Sequence, residues 1–171
     1  MTLSHDPHWL RAGNWLTEVL QADFAIVGVG ASKSALTPNN AHSTPAAVRS
    51  ALLRYSTWSS STKVDLADSL KGGDFGDAKS PDDQEATISE LSNLLNKTKT
   101  LVLIGGDNSI TYSGVLALSK EHDFKEIGVI TLDAHHDLRD GKSNGSPIKQ
   151  LVDAGLPGRN VVQIGLNDFA N

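Results

Sequence analysis

With 171 residues and about 150 residues per domain, the chain has room for one hydrophobic core, and 39% apolar with 20% charged residues fits a globular domain rather than a disordered or fibrous one. Fifteen basic against twenty acidic side chains leave a net charge of −5, which makes nucleic-acid binding a poor match. No apolar run approaches the ~20 residues that cross a bilayer, residues 1–8 lack a basic segment leading into an apolar one, and cysteine is absent; the expectation is a soluble, cytoplasmic protein with no membrane partner, whose metal donors can only be oxygen and imidazole.

Short β-branched runs alternate with segments of helical period, the pattern of a single α/β domain over residues 1–171 with a mainly parallel sheet. The first strand is expected at 24–29 (FAIVGV). A serine-, asparagine- and proline-rich stretch at 31–43 then predicts a long irregular loop of the kind that carries function at strand ends. A helix is predicted over 45–55, opening on Pro45 after Thr44 in the capping place. Residues 63–66 form a weaker strand candidate, and the glycine-rich KGGDFGD at 71–77 reads as a turn or loop. The helix predicted over 82–97 carries Ile88, Leu91, Leu94 and Leu95 as a core-facing stripe. Strands at 100–104 (TLVLI), 127–132 (IGVITL) and 160–164 (NVVQI) alternate with helices at 109–121 and 147–154. The last strand has no helix after it to cover its face, which predicts a piece of a longer polypeptide with an exposed sheet edge and a tendency to aggregate.

Three segments could carry chemistry. The first strand runs into Gly28-Val29-Gly30-Ala31-Ser32-Lys33-Ser34, but a phosphate-binding loop of the Walker form needs glycine where Ser32 stands. A dinucleotide fingerprint needs one where Lys33 stands. Gly105-Gly106-Asp107-Asn108-Ser109 follows a strand and opens a helix, with glycines for a tight turn and three candidate caps. Asp133-Ala134-His135-His136-Asp137 follows the IGVITL strand. On an extended backbone, residues two apart project to one side, so Asp133, His135 and Asp137 are expected to converge at the carboxyl end of the sheet, where open α/β sheets bind ligands. Two carboxylates and an imidazole suit a hard or borderline divalent ion, with manganese, iron, nickel and zinc all open. His136 points the other way and is expected to pack or to support the ligands.

The order GGDNS, DAHHDLRDG, SNGSPIKQL, together with ALTPNNAHSTPAAVRSAL at 35–52, resembles the ureohydrolase family of arginases, agmatinases and formimidoylglutamases, most closely its formimidoylglutamase-like members. The resemblance implies a three-layer α/β/α fold and two Mn2+ ions. Asp133 would be the bridging carboxylate, His135 a ligand of the second ion and Asp137 a ligand of the first. Asn108 stands where most members carry a histidine ligand, so one ion would be held weakly. The family's second metal-binding segment, an Asp-x-Asp, is absent, and with it the acid–base residue, so no catalytic group is assigned within these residues and the piece alone is expected to be inactive. The implied activity is hydrolysis of a C–N bond in a linear amidine, in a full-length homo-oligomer. Arg139, Asn144 and Ser146 would face a small-molecule amidine. Arg139 favours a substrate with an acidic tail, N-formimino-L-glutamate of histidine degradation; the plainer role for it is a surface ion pair with Asp140 or Asp153. The alternatives are an agmatinase or other guanidine hydrolase, and a non-catalytic binding member of the family.

Overall fold

The computed structural model describes Asp6 and residues 8–169, so the expectation for the first eight residues falls largely outside it. In chain order the elements are α1 (Ala12–Trp15), β1 (Ala22–Val29), α2 (Thr44–Leu52), β2 (Trp58–Ser59), β3 (Val64–Asp65), α3 (Leu66–Ser69), β4 (Gly72–Asp77), α4 (Gln84–Leu95), β5 (Thr98–Gly105), α5 (Ile110–Leu118), β6 (Val129–Leu132), α6 (Pro147–Asp153) and β7 (Val161–Ile164). The fold is α/β with mainly parallel pairing. β4, β1 and β5 form one parallel sheet in that order, and β6 pairs in parallel with β7. The only antiparallel ladder among the described residues is the two-residue β2–β3 pair, to which the 63–66 candidate shrinks because Leu66 already opens α3 under an Asp65 cap.

Period-two alternation along β1 separates two interfaces. Val27 and Val29 pack with Ile88 and Leu91 of α4 and Ala117 of α5. Phe24 and Gly28 look the other way: the Phe24 ring stacks on Trp15 of α1 at 6.4 Å, and Gly28 lies under Pro45 of α2. The first sheet is thus the middle of three layers. The second sheet is covered on one face. Val129 and Val161 pack with Ile148 and Leu151 of α6, while Ile130, Leu132, Val162 and Ile164 on the opposite face are between 51% and 83% exposed. Tyr112 of α5 touches both cores and joins the two halves.

The segment 71–77, read from its glycines as a turn, is the strand β4. Glycine is a poor strand former, but here a side chain would not fit: a Cβ on Gly72 would strike the Trp15 ring and one on Gly73 would strike Val19. The loss of intrinsic propensity is offset by close packing of neighbours and by Arg49 of α2, which holds Asp74 through two hydrogen bonds of 2.7 and 2.8 Å and reaches Asp77 and the Gly76 carbonyl. The helix predicted from Pro45 begins one residue earlier, at Thr44. Neither Thr44 nor Ser43 supplies a side-chain cap, because a 3-10 turn over Ala41–Ser43 already leads the backbone into the helix.

Candidate metal and substrate site

The site lies where the chain leaves β5 and β6. After β5, Gly106 passes so close to the β1 exit that a Cβ there would be driven into the Ala31 backbone; its N–H donates to the Val29 carbonyl and that of Asp107 to Ala31. This contact fixes the start of the turn that presents Asn108. Asp107 is 8% exposed; its Oδ1 accepts from the Ser109 N–H and hydroxyl, while its Oδ2 is buried without a hydrogen-bond partner among the described residues. Asp107 therefore braces the turn that leads into α5, while Ser109, in the capping position, supplies no side-chain cap.

After β6, the Asp133 N–H continues the ladder to the Ile164 carbonyl at 3.0 Å. The chain then leaves the extended conformation on which the expected convergence rested. The Asp133 Oδ1 accepts from the His135 N–H at 2.9 Å, an Asx-type turn, and Asp137 takes a left-handed backbone with φ of 56°. Its carbonyl accepts from the Lys149 N–H of α6. A turn and one left-handed residue, rather than period-two spacing, thus bring the three side chains to the same cavity.

That cavity, about 260 Å³, is lined by Asn108, Asp133, His135, Asp137, Arg139 and Asn144, together with Leu36, Thr37 and Gly145. Larger depressions occur elsewhere, among them one beside Lys33, Lys79 and Lys142, but this one gathers the carboxylates and the imidazole. Ser146 is not brought to it. That residue is fully buried, with its hydroxyl 2.7 Å from the Ser143 hydroxyl, so it braces the loop from below. His136 donates nothing to the cavity; its carbonyl accepts from Gln163 of β7. Asp140 and Asp153 are both engaged by Lys149, at 3.8 and 2.8 Å, and Arg139 is among the residues of the cavity wall rather than in the surface pairs considered for it.

The donor groups are partly spent on one another. His135 Nδ1 lies 3.0 Å from Asp133 Oδ1, and Asn108 donates its amide to Asp137 Oδ2 at 2.6 Å while its oxygen accepts from the Thr111 hydroxyl. Burial works to raise the pKa of Asp133, but the hydrogen bonds from the His135 backbone and ring outweigh it and hold the carboxyl below its ordinary value. Asp137 moves the other way. Burial raises it, the Asn108 hydrogen bond opposes, and the nearby charge of Asp133 adds to the rise. Oxygen and imidazole donors of this kind suit Mn2+. Among the described residues, though, no three His, Asp or Glu side chains close on a single point. By donor chemistry Asp133, His135 and Asp137 suit a manganese ion as members of a larger ligand set, and Asn108 could add its amide oxygen, whose second lone pair is left over beside the one that accepts from the Thr111 hydroxyl.

Leu36 and Thr37 were not singled out from sequence, whereas Gly145 was expected beside Asn144 in the segment that resembles the family's substrate-side loop. The irregular loop after the first strand was the available signal for the first two, but nothing in its composition says which residues meet a segment over a hundred positions away.

The model of the Arginase family matches residues 22–171. The formimidoylglutamase of Halalkalibacterium halodurans is 36% identical over 160 residues, covering 86% of this chain and 49% of that protein. The crystal structure of formimidoylglutamase from Bacillus subtilis superposes with a TM-score of 0.84 at 26% identity, over 99% of this chain and 57% of that one. That of Trypanosoma cruzi formiminoglutamase with Mn2+ gives 0.82 at 24% identity, over 95% and 59%, and speaks to the fold alone. The chain spans about half the length of the curated relative it matches.

Proposed function

Because the chain belongs to the arginase family, we propose that these residues carry the amino-terminal part of a manganese-dependent hydrolase of linear amidines, whose substrate is N-formimino-L-glutamate and whose products are glutamate and formamide. One observation carries the reading: Arg139 lines the same cavity as the metal-type donors Asp133, His135 and Asp137. The formimidoylglutamases among the relatives support the substrate. The donor set of two carboxylates and an imidazole at the cavity supports the metal.

Asp133, His135 and Asp137 would hold the metal, with Asn108 as a neutral donor. Bound manganese supplies the Lewis acidity that activates water near neutral pH. The chain's own residues do the positioning. Arg139 offers two parallel N–H groups to the carboxylate of an acidic tail, which points the amidine end toward the carboxylates. The same guanidinium repels the ammonium-type tail of agmatine, so the agmatinase alternative is the weaker one. His135 is kept in orientation by its bond to Asp133, and Asp137 by its bond to Asn108.

The test uses the protein at the full length of its relatives, loaded with Mn2+. Formamide release from N-formimino-L-glutamate, with agmatine turned over far more slowly, is the expected result, and Asp133→Ala is expected to lose both metal and activity. Equal or better turnover of agmatine would overturn the substrate. Bound metal without turnover of any amidine would favour the non-catalytic reading, to which the amide of Asn108 lends its weight. Retention of full metal stoichiometry in the Asp133 variant would contradict the assigned ligand.

A further inference from the structure

Residues 31–37 have no regular structure, yet Leu36 and Thr37 form part of the cavity wall. A loop of this kind keeps its shape only if its backbone donors are bound in fixed directions. Asp82, the residue before the Asp83 cap of α4, supplies the partner. Its Oδ1 accepts from two successive backbone N–H groups, Ser32 and Lys33, at 2.8 Å each. Two donors on one carboxylate oxygen fix the peptide plane between them, and the Asp82 side chain is only 24% exposed. Lys33 is not the anchor, for its ammonium lies 4.0 Å away and is 84% exposed.

From this anchor the loop runs directly into Asn144. The Asn144 N–H donates to the Ser34 carbonyl at 3.2 Å, and its side-chain oxygen accepts from the Leu36 N–H at 3.1 Å. The next residue, Gly145, accepts from the Arg139 N–H at 3.1 Å, and a Cβ on Gly145 would strike the Arg139 side chain. Three segments distant in sequence thus meet in one chain of contacts: Asp82, the 32–37 loop, and the 139–145 loop that carries the guanidinium.

We infer that Asp82 is a positioning residue for substrate selection: by clamping Ser32 and Lys33 it locks the 32–37 loop onto Asn144 and sets the stretch of cavity wall beside Arg139. Asp82 does not line the cavity and acts only through the loop. The inference rests on the cavity being the amidine site, and the test has two arms so that the two can fail separately.

In the 171-residue chain, amide hydrogen exchange followed residue by residue is expected to speed up about tenfold or more at Leu36 and Asn144 in Asp82→Ala. Amides of β1 and β5 should be unchanged, which shows that the variant is folded, and Asp82→Asn, which keeps an accepting oxygen, should restore most of the protection. Unchanged exchange at Leu36 and Asn144 in a folded Asp82→Ala chain would overturn the clamp, whatever the protein catalyses. In the full-length Mn2+-loaded enzyme, Asp82→Ala is expected to raise KM for N-formimino-L-glutamate severalfold while kcat and bound manganese stay within a factor of about two. Lost protection with an unmoved KM, or a fall in kcat alone, would overturn the role in selection. Failure of the unaltered enzyme on this substrate would count against the proposed function and leave the exchange result standing.

Discussion

At Asp137 a carboxylate that is 4% exposed sits on a left-handed backbone, with Asn108 as its side-chain hydrogen-bond donor and Asp133 nearby as a like charge. An ionised group held this way, without a cation, is a burden on the fold. Asparagine has nearly the same shape, tolerates the left-handed region, and still accepts from Asn108. Asp137→Asn is therefore expected to stabilise the metal-free 171-residue chain by about 1 kcal/mol, a rise in Tm of roughly 2–4 °C. The same change should weaken manganese binding in the full-length protein. Calorimetry of unfolding and of metal binding reads both, and a lower Tm together with unchanged metal affinity would contradict the account. The types of the candidate metal donors were legible from residues 133–137 alone. Their hydrogen bonds were not, because the partner of Asp137 comes from Asn108, on a turn 29 positions earlier.

Between elements, the contact of α2 with β4 depends on charge more than on apolar area. Burial tends to raise the pKa of Asp74, but hydrogen bonds from Arg49 and the Gly76 N–H, with the Arg49 charge, carry it below the ordinary 3.8. Arg49 is raised in turn, chiefly by its bond to Asp74. A depressed carboxyl contributes stability that is complete above the unfolded value and disappears as the pH falls through the folded one. The chain should therefore lose stability in the window below about pH 4. Asp74→Asn should cost about 2 kcal/mol at neutral pH, since the pair is partly buried, and should flatten the acid limb of the profile. Chemical denaturation across pH measures this; parallel profiles for the two chains would remove the pair from the account. Sequence reading missed β4 for the same reason that this pair matters. The strand is held by Trp15, Val19 and Arg49, which lie outside it, and its own glycine-rich composition says turn.

Over the whole molecule, the two parallel sheets are not equivalent. The first has helices on both faces, whereas β6–β7 leaves Ile130 beside Val162 and Leu132 beside Ile164 on an open apolar face. Buried faces are the rule for parallel strands, and an apolar patch of this kind binds hydrophobic dyes and self-associates. Ile130→Thr with Leu132→Lys is expected to lower dye binding and raise soluble yield, with stability changed by no more than about 0.5 kcal/mol because neither side chain packs against the α6 side. If dye binding stays the same, the dye is bound at another place, such as the exposed Trp9 and Trp58.

The sequence by itself determined most of the alternation of strands and helices, the parallel arrangement that follows from it, and the chemical types of the candidate donors at 133, 135 and 137, because periodicity and side-chain chemistry are local properties; the candidacy of Asn108 came from the family resemblance alone. Only the tertiary structure decided that the donors meet through an Asx turn and a left-handed residue, that Arg139 faces the cavity while Lys149 takes Asp140 and Asp153, that Ser146 lies buried beneath the loop, and that Asp82 clamps a loop fifty residues away. Each of these depends on which segments touch, and contact between distant segments is set by the packing of the whole chain, not by the pattern within any part of it.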